Sequence, residues 1–260
     1  MLTGRDVLIY FSLKHGGDWD KIYLSIKNKD KIDENDYMYL KTKCLCSVVT
    51  IIDDNYPQCL KSAYKPPIVL YYYGNISLLT LKNRITVVGT RNPSTYGEMA
   101  TIKLCEQLVD NKYIIVSGLA KGIDFFAHKS AIDKGGHTIA VLGSGIDKCY
   151  PKQNQNIYDI IKEKHLLLSE YPFDTPPEKE NFPKRNRILA AIGDAVLVTE
   201  CRKLNSGTNI TITNALNLGK EIFCVPFPID IANGNNLLIK DGATLIENVN
   251  DIIFNLDNKN

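Results

Sequence analysis

No stretch of this chain approaches the roughly 18 consecutive apolar residues that a membrane span needs. The N-terminus, Met1-Leu2-Thr3-Gly4-Arg5-Asp6, lacks the pattern of a secretory signal. A cytoplasmic protein with no membrane partner is the expectation. The cysteines supply no framework either: seven of them, at positions 44, 46, 59, 105, 149, 201 and 224, are odd in number and scattered. Cys44-x-Cys46 is too tight for the usual paired-ligand spacing, so neither a disulfide scaffold nor a zinc site is indicated, and buried reduced thiols are expected. An excess of one charge is also missing, since the formal net charge is only +2. That excludes a uniformly basic nucleic-acid binder and confines any anion site to a local patch. No internal repeat or low-complexity segment interrupts the 260 residues, which suffice for one large domain and a small appendage.

What the chain does contain is a series of short apolar runs closed by Gly, Asn or Pro. Ile85 to Gly89, Tyr113 to Gly118, His137 to Gly143, Ala195 to Glu200 and Glu221 to Pro226 are apolar on both faces, as fully buried strands are. Between them, Gly97 to Asn111 and Asp124 to Lys134 carry apolar residues at helical spacing, Met99, Ile102, Leu104, Cys105 and Leu108 in the first. Strand and helix in alternation predict an α/β protein with a doubly wound, mostly parallel sheet. Residues 1–50 read differently, with helical pieces around Val7 to Leu13 and Ile22 to Ile26, and form a small N-terminal helical region ahead of a domain spanning 51–260. A strand-like run, Ser47 to Ile52, lies at the boundary.

In a parallel sheet the ligand sits outside the carboxyl ends of the strands. Three strand ends here are chemically suggestive. After the first comes Gly89-Thr90-Arg91-Asn92-Pro93-Ser94, with a glycine for close approach, a hydroxyl, and a guanidinium able to grip phosphate bidentately. The second is Ser117-Gly118-Leu119-Ala120-Lys121-Gly122-Ile123-Asp124, and the third Gly143-Ser144-Gly145-Ile146-Asp147. Neither a dinucleotide fingerprint nor a GKS/GKT P-loop is present. Taken singly, each loop is accounted for by the glycine that any strand-to-helix turn wants. Taken together, with Arg91, Lys121 and hydroxyls on one sheet edge, they favour a shared phosphate site. Ser206-Gly207-Thr208, opening a helix expected over 209–218, reads either as another anion-binding helix start or as a plain cap.

The densest cluster is Asn181-Phe182-Pro183-Lys184-Arg185-Asn186-Arg187, between a Pro-rich loop and the apolar run Ile188 to Ile192. Three cations, an amide and an aromatic at a loop-to-helix junction suit an anionic ligand that also offers flat rings, a nucleic acid or a nucleotide. Phe182 is either a core aromatic or a stacking platform for a base; its charged and prolyl neighbours favour the platform. Asp124, His128 and Ser117 invite a triad reading, which fails because no nucleophile-elbow sequence is present and an Asp at a helix start is more economically a cap or first-turn anion.

The order and spacing of these motifs resemble the DprA/Smf DNA-processing family from about Tyr56 to Ala243. The resemblance is carried by Tyr56-Pro57-x-x-Leu60, Pro66-Pro67 with Leu70-Tyr71, Val87-Val88-Gly89-Thr90-Arg91, and Ser117 through Asp124 with Ala127-His128. It continues through Gly143 to Asp147 with Tyr150-Pro151, Ser169-Glu170-Tyr171-Pro172, Phe182-Pro183-x-Arg185-Asn186-Arg187, Ser206-Gly207-Thr208, Gly219-Lys220-Glu221, and Asn236 to Ile239 with Asp241-Gly242-Ala243. It implies an extended Rossmann-like domain that binds single-stranded DNA, protects it, and helps load RecA recombinase during natural transformation, as a homodimer and without catalysis or cofactor. Carried over, Gly89, Thr90, Arg91, Ser117, Gly118, Lys121 and Gly122 resemble the phosphate pocket. Phe182, Arg185, Asn186 and Arg187, with Lys184 between them, resemble its cationic and stacking wall, and Lys179 is expected to face the strand. This chain departs from the family at Phe227, where Gly commonly follows the Val-Pro pair, and at Ile231-Ala232-Asn233-Gly234. A winged-helix domain after the sheet, carried by some members, is not expected.

An enzyme reading stands beside this one, because similar Rossmann-like folds include nucleotide-processing phosphoribohydrolases with a Pro-Gly-Gly-x-Gly-Thr loop and a nearby carboxylate. Here Thr199 to Thr208 keeps Glu200 and a Gly-Thr pair without the glycine run. Glu200 is a candidate general acid/base on that reading; otherwise it bonds loop amides or pairs with Arg185 or Arg187.

Overall fold

A computed structural model describes residues 2–202, 207–229, 231 and 233–258. The N-terminal region folds as α1 (Gly4–Lys14), α2 (Trp19–Asn28) and α3 (Glu34–Lys43). Each start is fixed by an oxygen-bearing cap, which satisfies amides that the first turn leaves without partners. Thr3 and Asp6 form a reciprocal capping box, Asp18 accepts from Lys21 N, and Asp33 accepts from Asn35 N and Asp36 N. The Tyr37 hydroxyl donates to Asp6 Oδ1 at 2.8 Å, tying the third helix to the first. Of α3, only Tyr37 is buried.

The chain then alternates: β1 (Ser47–Thr50), α4 (Gln58–Lys61), β2 (Val69–Gly74), β3 (Arg84–Val88), α5 (Thr95–Asp110), β4 (Ile114–Ser117), α6 (Ile123–Asp133) and β5 (Thr138–Leu142). It continues with α7 (Gln155–Lys164), β6 (Leu166–Ser169), α8 (Asn181–Ile192), β7 (Ala195–Val198), α9 (Gly207–Asn217), β8 (Ile222–Cys224), α10 (Asn233–Lys240), β9 (Thr244–Leu245) and α11 (Val249–Asp257). Nine strands form one sheet in the order β1-β2-β6-β5-β4-β3-β7-β8-β9. The first two pairings, β1 with β2 and β2 with β6, are antiparallel and the others parallel. The expected α/β class and all five apolar strands are present; β6 and β9 are additions. β1 begins inside the stretch expected to be helical, so the sheet starts at Ser47.

Alternation along each strand divides the core. Ile85 and Val87 pack with Leu104, Leu108, Ile123 and Ile252 on one face, whereas Ile114, Val116, Ile139 and Val141 meet Ile188, Leu189 and Ile192 of α8 on the other. The helical region is no detached appendage. Leu8 to Leu13, Ile22 and Tyr37 share one apolar cluster with Tyr71, Leu142, Tyr158 and Leu167, so burial of those side chains depends on the sheet being formed. Phe227, the departure from the family pattern, belongs to the core and meets Tyr96 edge-on at 4.8 Å between ring centroids. Among the described residues no helix is long and apolar enough to cross a membrane.

The suspected triad dissolves into structural bonds. Ser117 Oγ donates to Val87 O at 2.7 Å, and Thr138 Oγ1 donates to Ile115 O at 2.8 Å. With its proton committed, the Thr138 hydroxyl accepts from His128 Nδ1 at 2.7 Å, which fixes the imidazole as the neutral Nδ1–H tautomer. Burial, with the charges of His165 and Arg185, pushes His128 down from 6.5 to about 3. The folded protein therefore binds fewer protons there than the unfolded chain. The stability that His128 contributes is complete above pH 6.5 and is lost as pH falls toward 3. Urea unfolding between neutral pH and about pH 5 should show the difference: in His128→Gln the acid loss of stability becomes shallower by up to about 1.4 kcal/mol per pH unit. Equal slopes for both proteins would contradict a buried neutral imidazole.

Candidate functional site

The strand order reverses between β3 and β7, because the chain runs from β3 through β4 and β5 to β6 on one side and from β7 to β9 on the other. A cleft of about 900 Å³ opens at the carboxyl ends of these two strands, the position at which doubly wound sheets receive ligands. Its walls include Thr90 and Arg91 from the loop after β3, Lys179 and Phe182 from the approach to α8, and Arg202 and Thr208 from the segment after β7.

The loop after β3 is held from below by Glu200. Its backbone carbonyl accepts from Thr90 N at 2.8 Å, and its carboxylate Oε2 accepts from Ser94 N at 2.7 Å and Ser94 Oγ at 2.8 Å. The other oxygen takes Arg202 Nε at 2.9 Å. Glu200 is 1% exposed, with both oxygens engaged beneath the loop. It bonds loop amides as expected, but its charged partner is Arg202 and not Arg185 or Arg187. Gly122 closes the loop from the side with φ +73°, and a Cβ there would strike the Thr90 and Arg91 carbonyl groups. Glycine alone lets α6 start against the Arg91 loop, with Ile123 N donating to Thr90 O at 3.2 Å. The result is a fixed loop presenting an exposed Arg91.

The loop after β4 is organised by one carboxylate. Asp124 Oδ2 accepts from Gly118 N at 3.1 Å and Ala120 N at 3.3 Å. Asp124 therefore fastens the turn before its own helix, a different duty from the cap or first-turn role expected of it. Leu119 lies between them at φ 56°, a left-handed conformation unfavourable for a branched side chain. Asn154 Nδ2 compensates by donating to Leu119 O and Ala120 O at 2.9 and 3.1 Å. Lys121 is exposed beside the cleft.

The cationic cluster lies in the first two turns of α8, so helical periodicity sorts it. Residues three or four apart share a face. Phe182, Arg185 and Asn186 face the cleft, whereas Lys184 and Arg187 face a second cavity of about 590 Å³ between the helical region and the sheet. Arg187 does not join the cleft: Nη2 pairs with Glu170 Oε1 at 2.6 Å, Nε reaches Tyr64 O and Lys65 O at 3.0 Å each, and the side chain is buried. Lys184 Nζ stands 3.8 Å from Asp18 Oδ2.

Arg185 lines the cleft but is only 5% exposed. Its Nη1 donates to Gly118 O at 2.9 Å and to Val141 O, while Nε donates to Asn186 Oδ1 at 3.1 Å. Burial pushes its pKa down to about 10, against the opposing charge of Asp124. A Cβ at Gly118 would run into the guanidinium, so that glycine makes room for the bracket. Asn186 Nδ2 donates to Gly207 O at 2.8 Å and Thr208 Oγ1 to Gly89 O at 3.3 Å, which joins α8, the α9 start and the β3 loop. At the far end of α8, Lys220 Nζ caps three carbonyls, Ala190, Ala191 and Gly193, at 2.6–2.8 Å.

Phe182 is half-buried on the cleft wall with the Arg91 guanidinium 5.7 Å from its ring centroid. The Tyr150 ring lies 5.5 Å away at 43°, and Tyr150 is 44% exposed. The structure thus brings Gly89, Thr90, Arg91, Lys179, Phe182, Arg185, Asn186, Gly207 and Thr208 to one cleft. Ser117 and Gly118 lie beneath it, Lys121 and Gly122 beside it, Lys184 and Arg187 across the helix, and Ser206 lies outside the described residues. Two residues not singled out from sequence, Tyr150 and Arg202, line the same cleft. Both follow apolar strands, and a search of every carboxyl-end loop for cations and rings would have found them.

A doubly wound α/β domain with a switch-point cleft walled by cations and a half-exposed aromatic defines a class of protein suited to phosphate-bearing ligands with planar rings. Residues 47–257 match the family model for DNA recombination-mediator protein A. The chain is 42% identical over 206 residues to DNA processing protein DprA of Streptococcus pneumoniae, covering 78% of this chain and 72% of that protein. It is 38% identical over 216 residues to DprA of Bacillus subtilis, covering 82% and 72%. The solved structure of the pneumococcal protein superposes with a TM-score of 0.81 at 35% identity, over 95% of this chain and 92% of that one. DNA processing protein A from Helicobacter pylori, solved for its unique single-stranded DNA binding mode, gives 0.74 at 31% identity, over 84% and 99%. This chain belongs to the DprA/Smf family of DNA recombination mediators.

The two cleft arginines differ in kind, and thermal unfolding should separate them. Arg185→Ala leaves the Gly118 and Val141 carbonyls without their donor in a buried site and should cost about 2–4 kcal/mol, lowering Tm by many degrees. Arg91→Ala, at an exposed position, should stay within about 0.5 kcal/mol of wild type. Equal Tm values for the two variants would contradict the bracket.

Proposed function

We propose that this protein binds single-stranded DNA in the switch-point cleft, protects it there, and assists loading of RecA recombinase during uptake of transforming DNA, acting as a homodimer. The observation that carries the reading is the meeting of Arg91 and Phe182 on one wall, a phosphate grip beside a stacking surface. The likeness to the Helicobacter protein, described as binding single-stranded DNA, supports it. Duplex DNA hides its base faces in the stack, so a site built on ring stacking favours the unpaired strand.

Each residue takes a role from its placement. Thr90, Arg91 and the amides opening α9 at Gly207 and Thr208 receive phosphate. Phe182 stacks a base, and Lys121, Lys179 and Arg202 add screened attraction along the path. Arg185, Asn186, Ser117, Gly118 and Gly122 shape the cleft without meeting the strand, while Lys184 and Arg187 serve the opposite flank of α8. A hydrolase role for Glu200 is disfavoured because both carboxylate oxygens are bonded beneath the loop.

Fluorescence anisotropy of labelled oligonucleotides across a salt series tests this. Arg91→Ala should weaken binding and reduce the slope of log K against log salt by about 0.7, one phosphate contact on a single strand. Phe182→Ala should cost about 1–3 kcal/mol per stacked base while leaving that slope unchanged. Equal affinity for duplex and single strand, or unaltered affinity in both variants, would overturn the assignment.

A further inference from the structure

The joint between the helical region and the sheet contains a thiol pair that the DNA site does not use. Cys44 ends α3 and Cys46 immediately precedes β1. The backbone at Cys44 is extended, with φ -85° and ψ 90°, and in extended chain alternate side chains share a side. Both sulfurs accordingly turn inward, half-buried at the edge of the apolar cluster beneath the helices, while Leu45 between them is 85% exposed. Their Sγ atoms are 3.5 Å apart. The other five cysteines have no such partner: no other sulfur pair approaches this closely among the described residues.

We propose that Cys44 and Cys46 form a redox-active dithiol that closes to an intramolecular disulfide by exchange with a low-molecular-weight disulfide such as glutathione disulfide. In the first step the Cys44 thiolate attacks one sulfur of glutathione disulfide, forming a Cys44–glutathione bond and expelling one glutathione thiolate, which takes a proton from water. In the second, Cys46 gives up its proton and attacks Cys44 Sγ; the Cys44–Cys46 bond forms and the second glutathione leaves. Two electrons pass from the protein to the small disulfide, and two glutathione thiols result. Reduction by a dithiol reverses both steps.

Two features equip Cys44 as the attacking thiol. The S–H of Cys46 donates to the Cys44 thiolate, bringing the Cys44 thiol down to about 7 even though burial opposes this, and raising Cys46 correspondingly. Elsewhere burial raises the half-buried thiols Cys59 and Cys149, the latter to about 11. A bridge across a single intervening residue also closes a tight ring, and strained disulfides are the readily reduced ones. The bond would stiffen the chain where the helical region enters edge strand β1, whose Val48 O accepts from Arg5 Nη2 at 2.8 Å.

The native full-length protein is equilibrated with graded glutathione and glutathione disulfide, acid-quenched, unfolded, alkylated with N-ethylmaleimide and mapped by mass spectrometry. The expected result is a Cys44–Cys46 disulfide, with Cys59, Cys105 and Cys149 alkylated, and attack at Cys44 about tenfold faster than at Cys59 or Cys149. Cys46→Ser should stop at the Cys44–glutathione adduct. If wild type keeps that adduct without closing, or if Cys44 and Cys46 stay alkylated under ratios that oxidise free dithiothreitol, the proposal is overturned. The wild-type map decides the matter by itself should the variant fold poorly.

Discussion

A guanidinium taken out of water organises the ligand-binding end of this molecule. Arg185 reaches from α8 to the carbonyls of Gly118 and Val141 at the ends of β4 and β5, and beside it Asn186 holds the start of α9. A buried cation is tolerated only where its donors are met, and the geometry of three separate loops is what meets them. Gly118 has no side chain because the guanidinium occupies that space. The same contacts fix the helix that carries Phe182, so the wall of the cleft depends on an arginine that never faces the solvent.

Glu200 does the matching work on the other side. It is the buried carboxylate under the Arg91 loop, bonding Ser94 twice and Arg202 once. Between them Arg185 and Glu200 leave a few exposed groups, Arg91, Lys179, Arg202 and the Phe182 ring, standing on a rigid frame. Preorganisation of this kind lowers the ordering cost of capturing a flexible strand. It also accounts for a near-neutral chain carrying an anion site: the attraction is local and the remaining charges are spread over surface pairs such as Lys65 with Asp20 and Lys148 with Asp174.

Much of the fold was legible because parallel strands buried on both faces leave continuous apolar runs, and β3, β4, β5, β7 and β8 all do so. β6 escaped because Leu166 to Leu168 are leucines that follow α7 without a break, so the run reads as more helix. α3 escaped because it buries one side chain and has no apolar stripe. At the site, residue types were visible but directions were not. Arg185 and Arg187 are two positions apart, which on a helix turns them by about 200° relative to each other. Placing the cluster at a loop junction hid that turn; once α8 begins at Asn181, one arginine faces the cleft and the other faces Glu170. Glu200 showed a carboxylate in the sequence, but its partner came from the neighbouring loop and not from α8.

The central claim is that an unpaired strand lies across Phe182 with its phosphates toward Arg91. Photo-crosslinking of oligonucleotides containing a halogenated uracil, followed by peptide mapping, tests it most directly, because that chemistry reports the aromatic ring in contact with the base. The account predicts crosslinks at Phe182, with Tyr150 beside it, and their loss when unlabelled single strand competes. Crosslinks confined to the Lys184 and Arg187 flank of α8, or to the helical region around Trp19 and Tyr64, would contradict it.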